Sequence, residues 1–289
     1  MKKTIITAAL TGAITPPGYQ IPETPEAIAE TAYECWKLGA AVVHLHMRDE
    51  NGMGVMDPER FRKTIQYIRA HKDCDVIINC TSSGDHRVSD DSDYGNGRRM
   101  EHHRTVDGIE MGTFDAGSFN WGVPGGIFCN SQKFLEALGK LYQERSIKPE
   151  IEIFDAGMMR AVSAYVKNGT LKPPLHFQFC LGVLGGMGAT PAELQYLVSQ
   201  LPEGSTWSAF GIGKGHMPIM FAALANGGHI RVGLEDNVVY GIDEAGNKIM
   251  ATNQMLVQRA VRAVEAFGNQ VATSAEAREI LGLKPLVRA

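Results

Sequence analysis

The fold of this 289-residue chain is decided by residues 42–49, which read VVHLHMRD. The β-branched and apolar residues that open this stretch predict a buried strand. Because side chains of a strand alternate between two faces, His44 and His46 point the same way, near the strand's carboxyl end. Two imidazoles on one face are typical ligands of a divalent transition metal, most often zinc. A pair of satisfied core histidines is the alternative.

Seven further apolar runs predict strands at 5–10, 75–80, 108–113, 150–154, 175–181, 206–210 and 229–232. Helices are predicted between them, and several begin with capping signals such as Thr24-Pro25, Asp57-Pro58 and Thr190-Pro191. Strict alternation of strands and helices predicts parallel pairing. Eight such units favour an α/β fold of the (β/α)8 (TIM) barrel type, as one domain over residues 1–289 with a C-terminal helical extension. An open doubly wound sheet is the alternative, but no GxGxxG motif follows the first strand.

The segment at 85–107 departs from this alternation, because it is polar, charged and Gly-containing. It holds Arg98, Arg99, His102 and His103. We expect a long loop here, and long ordered loops are often functional.

The composition excludes several classes of function. The net charge of -4 and the lack of a basic stripe argue against a nucleic-acid partner. No apolar run approaches the roughly 18 residues of a membrane span. The five cysteines are odd in number and form no CxxC pair, which predicts reduced thiols in a cytoplasmic protein.

Polar residues at the carboxyl ends of the predicted strands form a candidate site, as barrel enzymes require. Strand three ends with Asn79 and Thr81, and strand eight supplies Arg231, then Glu235 and Asp236. Two histidines and one carboxylate are a common ligand set for a catalytic metal, so Glu235 is the third candidate ligand. Asp236 is a candidate general base with Arg231 as its partner, because an isolated buried charge is very costly. An exposed loop glutamate and a structural Arg–Asp pair are the alternatives.

Two Gly-rich segments, 182–188 and 211–215, follow the sixth and seventh predicted strands. Exposed backbone amides before a helix N-terminus favour phosphate groups. Neither segment is a Walker motif, and simple tight turns explain them equally well.

The residues at 7–13, 39–48, 181–187, 211–213 and 227–237 together resemble the β-keto acid cleavage enzymes, which include the 3-keto-5-aminohexanoate cleavage enzymes. The combination of HLH with GGHIRVGLEDN is the specific part of this resemblance. It implies a zinc-dependent (β/α)8 barrel, usually a homotetramer. It also implies an acyltransferase that converts a β-keto acid and acetyl-CoA into acetoacetate and a new CoA thioester.

The resemblance also implies roles for individual residues. It places zinc on His44, His46 and Glu235, and proton removal on Asp236 with Arg231. Thr81 falls where a characterised relative has a catalytic serine. Beside these, we expect substrate contacts from Ile14, Ser82, Asn79 and Thr113. We expect CoA contacts, by analogy, from Gly185, Gly186, Met187, Gly211 and Gly213.

Two positions depart from that relative. Ile14 stands where the relative has a glutamate facing the substrate's ammonium group, and Asp115 replaces an asparagine. An apolar wall does not stabilise an amine, so we expect a substrate without one. Two other functions stay open: a zinc hydrolase of the amidohydrolase type, and a non-catalytic barrel that binds acyl-CoA.

Overall fold

Eight parallel strands close into a barrel, in which each strand pairs with the next one along the chain and the eighth with the first. The computed structural model describes residues 1–14, 18–85, 91–121 and 126–286. The strands are β1 (Ile6–Ala9), β2 (Val42–Leu45), β3 (Ile77–Cys80), β4 (Met111–Asp115), β5 (Lys148–Ile153), β6 (His176–Leu181), β7 (Thr206–Gly211) and β8 (His229–Val232). The predicted (β/α)8 barrel is confirmed.

Helices follow the strands and pack their apolar faces on the outside of the barrel. They are α1 (Pro25–Lys37), α2 (Pro58–Ala70), α3 (Asp93–Thr105), α4 (Gln132–Arg145), α5 (Ala156–Lys167), α6 (Pro191–Ser199), α7 (His216–Ala225), α8 (Asn253–Ala266) and α9 (Ser274–Leu281). The caps predicted at Thr24, Asp57 and Thr190 are confirmed, since each side chain accepts a backbone N–H bond of the first turn. No helix in the described part of the chain is both long and apolar enough to cross a bilayer.

The predicted loop at 85–107 is wrong over most of its length, because α3 occupies 93–105. The helix buries a polar face, so apolar residues do not recur at helical spacing. Arg99 donates from Nε to the Ser82 carbonyl at 2.8 Å, and His102 Nε2 donates to the Thr81 carbonyl at 2.8 Å. The helix therefore supports the loop after β3. Residues 86–90 of the predicted loop lie outside the described residues.

The C-terminal extension closes the amino-terminal end of the barrel. Lys3–Thr4 pairs in parallel with Gln270–Val271, and α9 follows directly. Ala277 and Leu281 of α9 pack against Ile5 and Val42 in a small apolar cluster. The polar residues of the candidate site lie at the opposite end of the barrel, where the strands finish.

Buried neutral histidines predict acid sensitivity of the fold. Burial lowers the pKa of His102 to about 3 and that of His229 to about 4. In the unfolded chain the pKa of a histidine is about 6.5. Below that pH the unfolded chain binds more protons, so stability falls as the pH drops from about 6.5 towards 4, by about 1.4 kcal/mol per pH unit for each group. Thermal midpoints between pH 7.5 and 4.5 measure this loss.

The matched variant is His229→Asn, because an asparagine oxygen can replace the Nδ1 atom that accepts the Ile5 amide at 3.1 Å. We expect its midpoint to fall less steeply with pH than that of the wild type. Parallel curves for the two proteins would remove His229 from this account.

Candidate active site at the carboxyl ends of the strands

Three predicted ligand groups converge at the mouth of the barrel. The Nε2 atoms of His44 and His46 lie 3.0 Å apart. They lie 3.5 and 3.4 Å from the two carboxylate oxygens of Glu235. Zinc–nitrogen bonds of about 2.0–2.1 Å in a tetrahedral site place ligand atoms about 3.3 Å apart. These donor atoms therefore fit around one metal ion of that kind. Within the described residues, this is the one cluster of three such groups.

Two glycines allow Glu235 to reach the histidines. Gly233 has φ +148°, and a Cβ there would lie 1.9 Å from the Ala9 carbonyl oxygen. Gly12 has φ +76°, and a Cβ there would lie 2.7 Å from the Glu235 side chain. Only glycine fits such positions without strain. The turn is also anchored at Leu234, whose amide donates to the Asn253 side chain at 2.9 Å.

Arg231 connects the candidate ligand to the candidate base. Its guanidinium donates to both carboxylate oxygens of Asp236, at 3.1 and 2.9 Å, and to Glu235 at 2.7 Å. A fourth bond, of 3.0 Å, goes to Glu152 on β5. Because Arg231 and Asp236 are buried, these bonds hold the Asp236 carboxylate in one orientation.

Burial and charge set the protonation of these groups. Burial lowers the pKa of His44, which keeps its imidazole neutral and able to bind a metal. Burial alone raises the pKa of Glu235, but His46 and Arg231 bring it below its ordinary value. Burial raises the pKa of Asp236 to about 6, against the opposing effect of Arg231. A carboxylate with a pKa near neutrality is a better proton acceptor than an ordinary aspartate.

Two buried glutamates on β5 were missed by the sequence reasoning. Glu150 and Glu152 alternate with isoleucines, which is the usual pattern of a half-exposed strand. Both glutamates instead face other buried groups: Glu150 accepts from Asn79 at 2.7 Å, and Glu152 accepts from Arg231. Their position in a predicted barrel strand could have identified them. Such a strand is covered on both faces, and a buried charge there needs a partner.

The predicted residues after β3 and in β4 are buried and bonded within the protein. The Ser82 amide donates to the Thr113 hydroxyl at 2.9 Å, and the Ser82 hydroxyl donates to the Thr113 carbonyl at 3.0 Å. The Thr81 hydroxyl accepts from the Ser83 amide at 2.9 Å, so its own proton stays available to a substrate oxygen. Substrate contacts from Ser82, Thr113 and Thr81 stay predictions.

The Gly-rich loops use many of their amides internally. The Gly186 amide donates to the Val183 carbonyl at 3.0 Å, and the Met187 amide to the Phe154 carbonyl at 2.7 Å. The Gly213 amide donates to the Asn237 side chain at 2.7 Å. Gly211 is a strand residue at which a Cβ would lie 2.5 Å from the Gly215 carbonyl oxygen. These contacts favour tight turns over phosphate cradles, and the predicted CoA contacts stay predictions.

Gly185 instead lines a cleft of about 490 Å³ on the same face of the barrel. Its other walls come from the segments that follow β4 and β5, including Phe119, Asp155 and Met158. Apolar side chains share the lining with Ser118, Asn120 and Asp155, and the described residues that line it include no basic one. Such a cleft suits an uncharged, extended group better than a phosphate.

Ile14 lies on the loop after β1, and its side chain is 38% exposed. Arg48 holds this loop, because its Nη1 donates to the Ala13 carbonyl at 2.8 Å. Since Gly12 touches Glu235, the loop that carries Ile14 borders the candidate metal ligands.

The fold is that of a barrel enzyme, and the candidate site lies at the carboxyl ends of the strands, where such enzymes build their active sites. A model of the β-keto acid cleavage enzymes matches residues 3–283. This chain belongs to the β-keto acid cleavage enzyme family, whose members are acyltransferases that break a carbon–carbon bond.

Two relatives agree with that assignment, and a solved structure shares the fold. The 3-keto-5-aminohexanoate cleavage enzyme of Fusobacterium nucleatum is 40% identical over 98% of this chain and 99% of its own length. The 3-dehydrocarnitine:acetyl-CoA trimethylamine transferase of Rhizobium meliloti is 32% identical over 98% and 97%. The solved complex of ObcA with oxaloacetate has a TM-score of 0.78 at 21% identity, over 91% of this chain and 67% of that chain, and shows the fold alone.

The variant Arg231→Gln tests the charge network directly. It leaves the carboxylates of Glu152, Glu235 and Asp236 without their shared cation, so we expect a loss of about 3–5 kcal/mol in the free energy of unfolding. Urea denaturation of the metal-free protein measures it. Arg104→Gln is the control, because Arg104 pairs with Glu101 on the surface, where such a pair contributes about 0–1 kcal/mol. Equal losses in the two variants would contradict the network.

Proposed function

We propose that this protein is a zinc-dependent β-keto acid cleavage enzyme that uses acetyl-CoA as co-substrate and releases acetoacetate and a new CoA thioester. The convergence of His44, His46 and Glu235 carries the proposal. Two histidines and a glutamate are a ligand set of catalytic zinc sites, which leave a coordination position for the substrate. Transfer to acetyl-CoA is supported by the activity for which the Rhizobium meliloti relative is named.

His44, His46 and Glu235 fit a zinc ion, and each of the other site residues has its own role in the reaction. A zinc ion held by His44, His46 and Glu235 would supply Lewis-acid polarisation of the keto and carboxylate oxygens. Asp236, oriented by Arg231, takes a proton from the methylene carbon between the two carbonyl groups of the substrate. The positive charge of Arg231 stabilises the negative charge that develops on the substrate.

The new carbon–carbon bond then forms between that methylene carbon and the acetyl carbonyl carbon of acetyl-CoA. The thioester oxygen takes the developing charge, and the Thr81 hydroxyl proton is placed to stabilise it. CoA moves from the acetyl group to the substrate's own keto carbon, and the bond between that carbon and the methylene carbon breaks, leaving its electron pair on the methylene carbon. Asp236 returns its proton to that carbon. The products are acetoacetate and the CoA thioester of the remaining acyl group, so the atoms balance.

The cleft around Gly185, whose described lining has no basic residue, supports a place for the uncharged arm of CoA, with the phosphates bound elsewhere. A single domain, a homotetramer and a cytoplasmic location stay part of the proposal. The family assignment supports neither the amidohydrolase-type hydrolase nor the non-catalytic barrel.

Acetoacetate formation by the purified protein, with its metal content, tests the reaction. We expect about one zinc per chain and acetoacetate only when a β-keto acid and acetyl-CoA are both present. Asp236→Asn should keep its zinc and lose about 10²–10⁴-fold in kcat, because proton removal at carbon needs the carboxylate. Asp107→Asn is the control, since Asp107 is exposed and pairs with Arg145. Unchanged kcat in Asp236→Asn would remove this residue from the mechanism.

The substrate we propose is a β-keto acid with a neutral or apolar side chain. Ile14 supports this, because it gives the loop beside Glu235 an apolar side chain at the position where the family resemblance implies a carboxylate. An ammonium group placed against isoleucine would lose water without gaining a partner. The Fusobacterium nucleatum relative, in contrast, is named for an amino substrate.

A panel of β-keto acids assayed with acetyl-CoA measures this preference. We expect higher kcat/KM on neutral side chains than on ammonium-bearing ones. Ile14→Glu should shift the ratio towards the ammonium substrate, whereas Ile14→Gln, which is matched in shape but uncharged, should not. The idea fails if the wild type prefers the ammonium substrate to every neutral one.

A further inference from the structure

One ring nitrogen of a candidate ligand has no partner among the residues that the structure describes. His44 directs Nε2 towards Glu235, and its other ring nitrogen, Nδ1, is buried without a hydrogen bond of ordinary geometry to any of them. A neutral imidazole that offers Nε2 to a metal carries its proton on Nδ1. A buried N–H group without an acceptor is costly, so this proton needs an acceptor nearby.

Asn79 lies at the right place to provide that acceptor. It stands level with His44 on the neighbouring strand β3, and it is fully buried. Its Oδ1 also lacks a partner of ordinary geometry, although the amide is close enough to interact with the His44 ring. The buried Nδ1–H donor of His44 and the buried Oδ1 acceptor of Asn79 therefore lie on neighbouring strands at the same level.

Glu150 fixes which way the Asn79 amide is turned. Asn79 Nδ2 donates to Glu150 Oε1 at 2.7 Å. Because Oε1 acts as an acceptor, the amide must present its nitrogen to Glu150, and its oxygen is left for His44. Within the described parts of the chain, this is the one hydrogen bond that Glu150 receives, since its Oε2 lacks a partner and lies 3.9 Å from His176 Nε2.

We propose that Asn79 and Glu150 are positioning residues of the metal centre: Glu150 holds the Asn79 amide, and the amide oxygen takes the Nδ1 proton of His44. The inference rests on the proposed metal site and gives Asn79 a role other than substrate contact. Groups that accept the second N–H of a metal-bound histidine fix its tautomer and ring orientation and raise its basicity. This arrangement extends from β5 through β3 to β2, across the inside of the barrel.

Metal affinity tests the inference without relying on turnover. Zinc dissociation constants come from competition with a chromophoric chelator, and the visible d–d bands of the cobalt-substituted protein report the geometry of the ligands. We expect Asn79→Leu to weaken zinc binding about 10–100-fold and to shift the cobalt bands. Glu150→Gln should give an intermediate loss, because an amide can donate or accept and no longer fixes the orientation of Asn79.

The control is Gln178→Leu. Gln178 is also fully buried in the barrel, and its amide bonds to Ser208 and to the Phe179 carbonyl, neither of which is a candidate metal ligand. We expect its zinc affinity and cobalt spectrum to match the wild type.

The outcomes separate this inference from the proposed function. If the wild type binds zinc and both Asn79→Leu and Glu150→Gln keep its affinity and spectrum, the positioning role is wrong and the metal centre stands. If Asn79→Leu does not fold, Glu150→Gln alone decides in the same way. A wild type that binds no zinc overturns both the metal centre and this inference.

Discussion

The mouth of this barrel depends on one buried guanidinium. Arg231 is bonded to the carboxylates of Glu152, Glu235 and Asp236 in a region from which solvent is largely excluded. Three ionised carboxylates and one cation leave two negative charges uncompensated, which a low-dielectric interior does not tolerate. A divalent ion against Glu235 and the two neutral imidazoles would balance them. Burial also raises the pKa of Glu152, so a proton is the other way to reduce the charge.

The barrel and its ligand set were predictable from sequence because both depend on local signals. Alternating apolar strands and capped helices give the (β/α)8 order, and the His44–His46 spacing gives one shared face. Glu235 was predictable because it follows the last strand directly. Helix α3 was not, because most of the side chains that it buries are polar, such as Arg99 and His102. Helices are recognised in a sequence by apolar residues at regular spacing. A helix that supports a site through polar contacts has no such spacing, so it is missed.

The charged residues inside the strands show a second limit of prediction from sequence. Glu150 and Glu152 follow the same alternation as a half-exposed strand, and only the closed barrel shows that their side chains face inwards. The Gly-rich loops show a third limit. Their glycines suggested free amides, but amide use depends on contacts between distant segments, such as Gly213 with Asn237. Composition reports which groups are present, and tertiary contacts decide which of them remain available to a ligand.

The proposed site separates the groups assigned to the chemistry from the one assigned to substrate choice. The candidate ligands, Arg231 and Asp236 are fixed by strands, by glycine turns and by a network of short bonds, so a change in any of them disturbs its neighbours. Ile14 lies on a loop and is partly exposed, and Arg48 holds the backbone next to it. A substitution at this position is therefore expected to alter the wall of the site at little structural cost. Under this proposal, chains with the same candidate ligands and base can act on different β-keto acids.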